Sequence, residues 1–146
     1  MSVKNKVIKK KHIEEFLRTR LDRKGFKMNH PGKKDSNLDI VAQKDSILLH
    51  IVVMGMKEKK ETRARDFYEL VFNSFTHLEK QDLKYSIMAL PIEIFEDLKK
   101  LIELRKSAWV RICIGFPEIR FYFVDLEQQK FIKKKLVEII NDEEDI

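Results

Sequence analysis

The sequence predicts one α/β domain in which helices flank a central mixed β-sheet. Three observations predict this class. A strongly apolar hairpin runs from Leu38 to Gly55, an amphipathic helical pattern stands on each side of it, and a further apolar strand ends at Pro91. Strands that alternate with helical patterns are typical of sheets covered by helices.

The hairpin is the centre of the prediction. Residues 38–42 form its first strand, the polar residues 44–46 its turn, and residues 47–53 its second strand. The second strand is apolar with little alternation, which indicates burial on both faces. Asp39 lies near the start of this apolar unit. Since a lone buried carboxylate is costly, we expect Asp39 to have a partner.

The spacing of apolar residues and the positions of glycine and proline predict the elements before the hairpin. Residues 4–24 predict an amphipathic helix, with Gly25 at its C-terminal cap. Residues 26–29 predict a short strand, and residues 30–37 a loop. The apolar face of the helix contains Ile8, Ile13, Phe16, Leu17 and Leu21.

The elements after the hairpin complete the order αβββαβαββα. The sequence predicts a helix over 62–80, a strand over 84–91 stopped by Pro91, a helix over 92–106, strands over 109–114 and 119–124, and a helix over 126–140. The predicted buried face of the 62–80 helix contains Phe67, Leu70, Val71, Ser74, Phe75 and Leu78. We therefore expect one domain over 1–140 and an acidic tail over 141–146.

Composition limits the function classes. The 146 residues are 43% hydrophobic and 37% charged, as expected for a globular protein with a charged surface. No apolar run approaches a membrane span, and no apolar segment follows the basic N-terminus as it would in a secretory signal. The single cysteine, Cys113, cannot form an internal disulfide. These features lead us to expect a cytoplasmic protein with no membrane partner.

Positive charge is concentrated at the start of the chain. Residues 1–34 hold 12 Lys and Arg against three acids, a net charge of +9, whereas residues 35–146 hold 18 against 21, a net of −3. Two interpretations are open: a nucleic-acid footprint, or a solvated helix face.

The hairpin resembles the core of the PD-(D/E)XK nuclease superfamily, whose members share the restriction endonuclease-like fold. In that pattern an Asp near the start of one strand is followed, on the next strand, by a Glu or Asp, one residue, and a Lys. Asp39 matches the first acid, and Gly55 matches the Gly that often follows the Lys. The second acid falls on Val52 and the Lys on Met54. The apolar strand ending in Leu90-Pro91 also resembles the strand that closes the nuclease core.

The resemblance implies a nuclease-like fold with a degenerate catalytic motif. In active members the two acids hold a divalent metal and the Lys helps to activate water. Val52 offers no oxygen and Met54 offers only a thioether, a poor ligand for Mg²⁺. We therefore expect no catalytic residues, no metal ligands and no cofactor.

One alternative is an active endonuclease with migrated residues, in which Asp39 and Glu69 bind Mg²⁺ or Mn²⁺ and Lys57 lies near the water. Glu69 could equally be an exposed helix acid beside Arg65. A further alternative is a non-catalytic assembly or dimerisation subunit, with a protein partner or a second copy of the chain.

The first hypothesis is thus a degenerate nuclease-like protein that binds DNA or RNA through a basic face. Its predicted binding residues lie on the first helix, in the loop before the hairpin, and in the loop after Gly55. They are Lys9, Lys10, Lys11, Lys33, Lys34, Lys57, Lys59, Lys60, Arg63 and Arg65.

Overall fold

The computed structural model describes residues 6–29, 38–76 and 85–141. Lys33, Lys34, the end of the predicted 62–80 helix and the acidic tail after residue 141 lie outside the described residues. Within them the chain is an α/β protein with one mixed six-stranded sheet in the order β1-β2-β3-β4-β5-β6. The strands are β1 (Lys27–Asn29), β2 (Ile40–Lys44), β3 (Ile47–Val53), β4 (Tyr85–Pro91), β5 (Ile119–Asp125) and β6 (Lys130–Lys135).

Five α-helices accompany the sheet in the described part of the chain. They are α1 (Lys10–Arg23), α2 (Lys60–Phe75), α3 (Phe95–Leu104), α4 (Lys106–Gly115) and α5 (Leu136–Ile140), and a 3₁₀ turn, Ile92–Ile94, leads into α3. No helix among the described residues has the length and apolar character needed to cross a membrane.

The pairing pattern divides the sheet into a parallel centre and antiparallel sides. β3 and β5 run parallel to β4, whereas β1, β2 and β6 are added by antiparallel pairing. Ile40 lies opposite Ile51, which confirms the predicted hairpin; its first strand runs from Ile40 to Lys44, two residues later than the predicted 38–42. Because β3 and β4 are central, their side chains are buried almost throughout.

The helices form a layer on each face of the sheet. On one face, α1 buries Ile13, Phe16, Leu17 and Leu21, and the Phe16 ring meets Phe131 of β6 edge to face. On the other face, the Ser86 hydroxyl of β4 donates to the Ser74 carbonyl of α2. The amphipathic face predicted for the first helix is confirmed for four of its five residues, while Ile8 lies before the helix. The helix ends before Gly25, whose φ of +92° is costly for other residues.

Two predicted elements are wrong. Residues 109–114 belong to helix α4 and not to a strand. Short apolar runs do not distinguish strand from helix, and here the helix buries Trp109 against Phe67 while it leaves Val110 and Ile114 exposed.

The predicted helix over 126–140 is correct only from Leu136 onward. Asp125 begins a tight turn in which its Oδ1 accepts the Gln128 N–H, and Gln129 adopts a φ of +54°. This turn reverses the chain and makes residues 130–135 the outer strand β6. The lysines of β6 are the charges that commonly protect a sheet edge from further pairing.

The first predicted helix also begins later than expected, at Lys10. Residues before it form an extended segment in which Ile8 pairs with Met56. This pairing places the N-terminal segment beside the chain that leaves β3.

Candidate functional site

Asp39 is the carboxylate on which the motif resemblance depends, and both of its oxygens have partners. Oδ2 accepts the Val53 N–H at 2.7 Å, and Oδ1 lies 2.6 Å from the Lys10 Nζ. The Asp39 carbonyl accepts a hydrogen bond from Arg18. The carboxylate therefore ties the end of β3 to the start of α1, which satisfies the expectation that Asp39 needs a partner.

Val52 and Met54 fill the two other motif positions with apolar atoms. Val52 is 1% exposed and Met54 is 5% exposed. Since Ile40 pairs with Ile51, the preceding Asp39 and the following Val52 lie next to each other in the hairpin. The Met54 N–H donates to the Ala89 carbonyl of β4, so this part of the motif is fixed in the sheet.

A cavity of about 310 Å³ joins these positions to the migrated candidates. Its walls include Asp39, Val52 and Met54 from the hairpin, together with Lys57 and Glu69. Lys10, Asp66 and Asn73 also reach it. The structure thus brings together the five motif and migrated positions that the sequence singles out. We call this space the Asp39 cavity.

Both carboxylate oxygens of Asp39 already have partners in the Asp39 cavity. The Asp39 oxygens are engaged by a backbone N–H and by the Lys10 ammonium, and the next hairpin positions carry no oxygen. Within the part of the chain that the structure describes, no group of three His, Cys, Asp or Glu side chains is placed to hold a metal. A hard divalent ion would have to displace a lysine to reach this carboxylate.

Gly55 has a packing role that its place in the motif does not reveal. Ile8 and Met56 exchange two backbone hydrogen bonds, of 3.0 and 2.8 Å, directly above it. A Cβ at residue 55 would stand 2.2 Å from the Ile8 carbonyl oxygen and 2.7 Å from the Lys10 nitrogen. Only glycine allows this crossing, and the crossing brings Lys10 to Asp39.

The same crossing places two basic segments side by side. Residues 9–11 begin α1 and residues 57–60 lead into α2, and the Ile8–Met56 pair lies between them. All six lysines of these segments are exposed. We call this group the basic junction; it comprises Lys9, Lys10, Lys11, Lys57, Lys59 and Lys60.

Arg63 and Arg65 differ from the lysines beside them. The Arg63 side chain is 4% exposed, and its guanidinium pairs with Asp97 and donates to the carbonyls of Lys57 and Glu58. Arg63 therefore holds the loop that carries Lys57 and does not point outward to a phosphate. Arg65 is exposed on α2.

Two features of the structure have no counterpart among the predictions from the sequence. The first is the ion pair of Lys10 with Asp39, which joins residues that are remote in sequence. The second is a set of basic and aromatic residues on the opposite face of the sheet, from β4, β5 and β6. Lys133, Lys134 and Lys135 follow one another in the sequence without alternation, so no pattern shows which of them share a face until residues 130–135 are known to be a strand.

Comparison of the chain with protein-family models, with curated proteins and with solved structures finds no match.

Proposed function

We propose that this chain is a restriction endonuclease-like protein that binds nucleic acid through the basic junction and does not cleave it. The observation that supports binding is the Ile8–Met56 crossing over Gly55, which assembles six exposed lysines from two distant segments. Clustered lysines neutralise phosphates and release counterions, which supplies most of non-specific affinity for DNA or RNA.

Helix electrostatics support the same proposal. Lys9 and Lys59 are the N-cap residues of α1 and α2, and neither helix has a side-chain cap at that end. A helix N-terminus carries a partial positive charge. Lysines at that end add to this charge, whereas acidic residues would balance it. Two such ends at one surface favour an anionic partner, since phosphate is bound well by free N–H groups and ammonium groups together.

The lack of cleavage follows from the chemistry of the hairpin. Val52 and Met54 replace the acid and the lysine of the motif, and Lys10 occupies the cationic position next to Asp39. A nuclease of this class requires a metal held by carboxylates to activate water and to stabilise the leaving group. The Asp39 cavity provides an ammonium group in its place.

Salt-dependent binding to a short DNA duplex tests the proposal. The triple variant Lys9→Ala, Lys57→Ala, Lys59→Ala should reduce the slope of log affinity against log salt by about 3, since each lysine accounts for about one released counterion. The reduction should be similar for unrelated sequences, because phosphate contacts carry no sequence information. Fluorescence anisotropy at several salt concentrations measures both quantities.

A matched control removes equal charge elsewhere. Lys106, Arg111 and Lys130 are exposed and lie outside the basic junction. Replacing these three by Ala should leave the salt slope nearly unchanged. Equal losses in the two triple variants, or no binding by the parent protein at low salt, would contradict the proposal.

One observation favours an active nuclease as a second candidate: Asp39, Asp66, Glu69 and Lys57 line one cavity. This candidate requires metal to displace Lys10 from Asp39. It predicts cleavage with Mg²⁺ or Mn²⁺ that disappears in both Asp39→Ala and Glu69→Ala, whereas the proposal predicts none above background.

The assembly alternative has support of another kind. Tyr68 and Phe72 of α2 and Val110 and Ile114 of α4 are apolar or aromatic residues that remain exposed. Self-association through these exposed residues does not require nucleic acid. Sedimentation of the protein alone therefore distinguishes it from nucleic-acid binding at the basic junction.

A further inference from the structure

A second cavity, of about 480 Å³, lies on the face of the sheet that α1 covers only in part. Leu49, Tyr85 and Tyr122 contribute apolar and aromatic surface to it, and Lys24, Arg120 and Lys133 contribute charge. We call it the tyrosine pocket. Of the described residues that line the two cavities, none is common to both.

Strand register explains why these side chains meet. Leu49 of β3 pairs with Tyr85 of β4, and Tyr122 of β5 pairs with Lys133 of β6. Side chains at paired positions share a face, and every second residue returns to it. Helix α1 ends at Arg23, so its last turn borders this part of the sheet, and Leu21 and Lys24 form one wall.

Arg120 is held in place before any ligand arrives. Its guanidinium lies 5.0 Å from the centre of the Tyr85 ring, and its Nη1 donates to the carbonyls of Pro117 and Ile119. Among the described residues, neither the Nε nor the Nη2 of Arg120 donates a hydrogen bond. A fixed guanidinium loses little entropy when it binds an anion, and its plane can also stack against a base.

Lys24 and Lys133 place positive charge next to this stack, and within residues 6–29, 38–76 and 85–141 neither forms an ion pair with a carboxylate. Both ammonium groups lie over the Phe131 ring, at 4.8 and 5.9 Å from its centre. Burial lowers the pKa of Lys24, and Lys133, Arg20 and Lys44 lower it further. Among the described residues that line the tyrosine pocket, Glu138 is the single acid. Its Oε1 accepts a hydrogen bond from the backbone N–H of Lys135.

We propose that the tyrosine pocket binds a nucleotide unit, with the base against the Arg120–Tyr85 pair and the phosphate between Lys24 and Lys133. The pocket has a volume typical of small-ligand sites. Aromatic rings and guanidinium planes stack bases without strong sequence preference, and neighbouring lysines bind the backbone. The nucleotide is either free in solution or part of a single strand.

This inference does not rest on the function proposed for the basic junction. The basic junction contacts phosphates of a duplex from outside, whereas the tyrosine pocket needs an unpaired base. Removal of Lys9, Lys57 and Lys59 should therefore leave pocket binding intact, and changes in the pocket should leave duplex binding intact.

The experiment measures the affinity of the full chain for three probes: inorganic phosphate, 5′-AMP, and a labelled oligo-dT of about 10 nucleotides. The Tyr85→Ala variant should weaken binding of 5′-AMP or oligo-dT roughly 5- to 150-fold, the range for loss of one stacked base. Lys133→Ala should weaken it about tenfold, since it removes a hydrogen bond to a charged group.

Two controls separate the loss of stacking from the loss of fold. Tyr85→Phe keeps the ring and should bind like the parent. Arg120→Gln changes a partly exposed side chain, so it tests the pocket even if Tyr85→Ala does not fold. Lys130→Ala removes an exposed charge of β6 that does not line the pocket, and it should have no effect.

The effect of Arg120→Gln on the two nucleotide probes identifies the ligand. A dependence of 5′-AMP binding on Arg120 identifies a free nucleotide as ligand, and a dependence confined to oligo-dT identifies a single strand. The proposal is overturned if inorganic phosphate binds as tightly as 5′-AMP and oligo-dT, or if Arg120→Gln changes the affinity of neither nucleotide probe.

Discussion

The two cavities of this protein treat positive charge in opposite ways. At the Asp39 cavity, Lys10 lies 2.6 Å from a carboxylate that also accepts the Val53 N–H, so charge and hydrogen bonding are satisfied within the protein. At the tyrosine pocket, burial lowers the pKa of Lys24, and the nearby cations Lys133, Arg20 and Lys44 lower it further. The first arrangement stabilises the fold, while the second leaves positive charge for a ligand to balance.

The difference shows how a carboxylate in an apolar sheet can become part of the scaffold. A carboxylate in an apolar sheet must be paired, and Lys10 performs that task beside Val52 and Met54. Like charges that remain together, as around Lys24, reduce stability and are typical of surfaces that bind an oppositely charged partner. Substitutions at the two cavities should therefore have opposite effects on stability.

The largest expected effect comes from introducing the acid and the lysine of the nuclease motif at the Asp39 cavity. The double variant Val52→Glu, Met54→Lys places two charged groups where side chains are almost fully buried. We expect a loss of about 4 kcal/mol in the free energy of unfolding without metal, the upper range for exchanging buried apolar groups and ion pairs. Chemical denaturation of the parent and the double variant measures this loss.

Adding metal to the double variant tests whether residues 39, 52 and 54 form one site. If the three motif positions form one site, Mn²⁺ should recover part of the lost stability, because an ion that binds only the folded protein raises it by mass action. Adding Asp39→Ala should abolish the recovery. A double variant as stable as the parent would mean that residues 52 and 54 reach solvent, and recovery without Asp39 would mean that they never formed a site with it.

The next effect tests the crossing that brings Lys10 to Asp39. Gly55→Ala would place a Cβ 2.2 Å from the Ile8 carbonyl oxygen, and neither backbone segment can move without losing hydrogen bonds. We expect destabilisation of about 3 kcal/mol, as for severe overpacking. Urea denaturation measures it, and affinity for a DNA duplex should fall as well because the basic junction separates.

Gly115→Ala is the matched control for Gly55→Ala. Gly115 is the last residue of α4, and a Cβ there would meet nothing within 4 Å. This substitution should be neutral or slightly stabilising, since alanine has the higher helix propensity. Equal destabilisation by the two substitutions would show that close packing is not the reason for glycine at residue 55.

Much of the central fold could be predicted because local and long-range signals agree there. The turn over Asp45 and the apolar strands fix the hairpin register, which places Asp39 beside Val52. Gly25 marks the end of α1 because its φ is positive. In both places the local sequence preference agrees with the final fold, so it is sufficient for the prediction.

The second half of the chain was predicted less well. Its sequence patterns fit either a helix or a strand, and tertiary contacts determine which of the two forms. Residues 109–114 are apolar enough for either state, and stacking of Trp109 on Phe67 favours the helix. The strand β6 depends on the positive φ of Gln129 and on pairing with β5. The tyrosine pocket could not be predicted, because it requires the strand order that places β4, β5 and β6 together.

The smallest effects give the most direct contrast between the two cavities. Lys10→Met removes the partner of the Asp39 carboxylate and should cost about 1 kcal/mol of stability. Lys24→Met removes a cation from among other cations and should raise stability by less than about 1 kcal/mol, because solvent screens an exposed lysine. The same Lys24→Met change should weaken nucleotide binding, so its effects on stability and on binding have opposite signs.

The pH dependence of unfolding tests the Lys24 part of this contrast. The pKa of Lys24 is lowered from 10.5 in the folded protein, so between its folded pKa and 10.5 the unfolded chain binds more protons. Stability should therefore gain a small contribution as pH rises through that interval, and Lys24→Met should lack it. Burial raises the pKa of Tyr122 from 10.0 to about 12, which makes stability fall above pH 10. Melts of the parent and both methionine variants should accordingly be compared below pH 10. A Lys24→Met variant less stable than the parent there would show that the pocket's cations are compensated within the protein, as at Asp39.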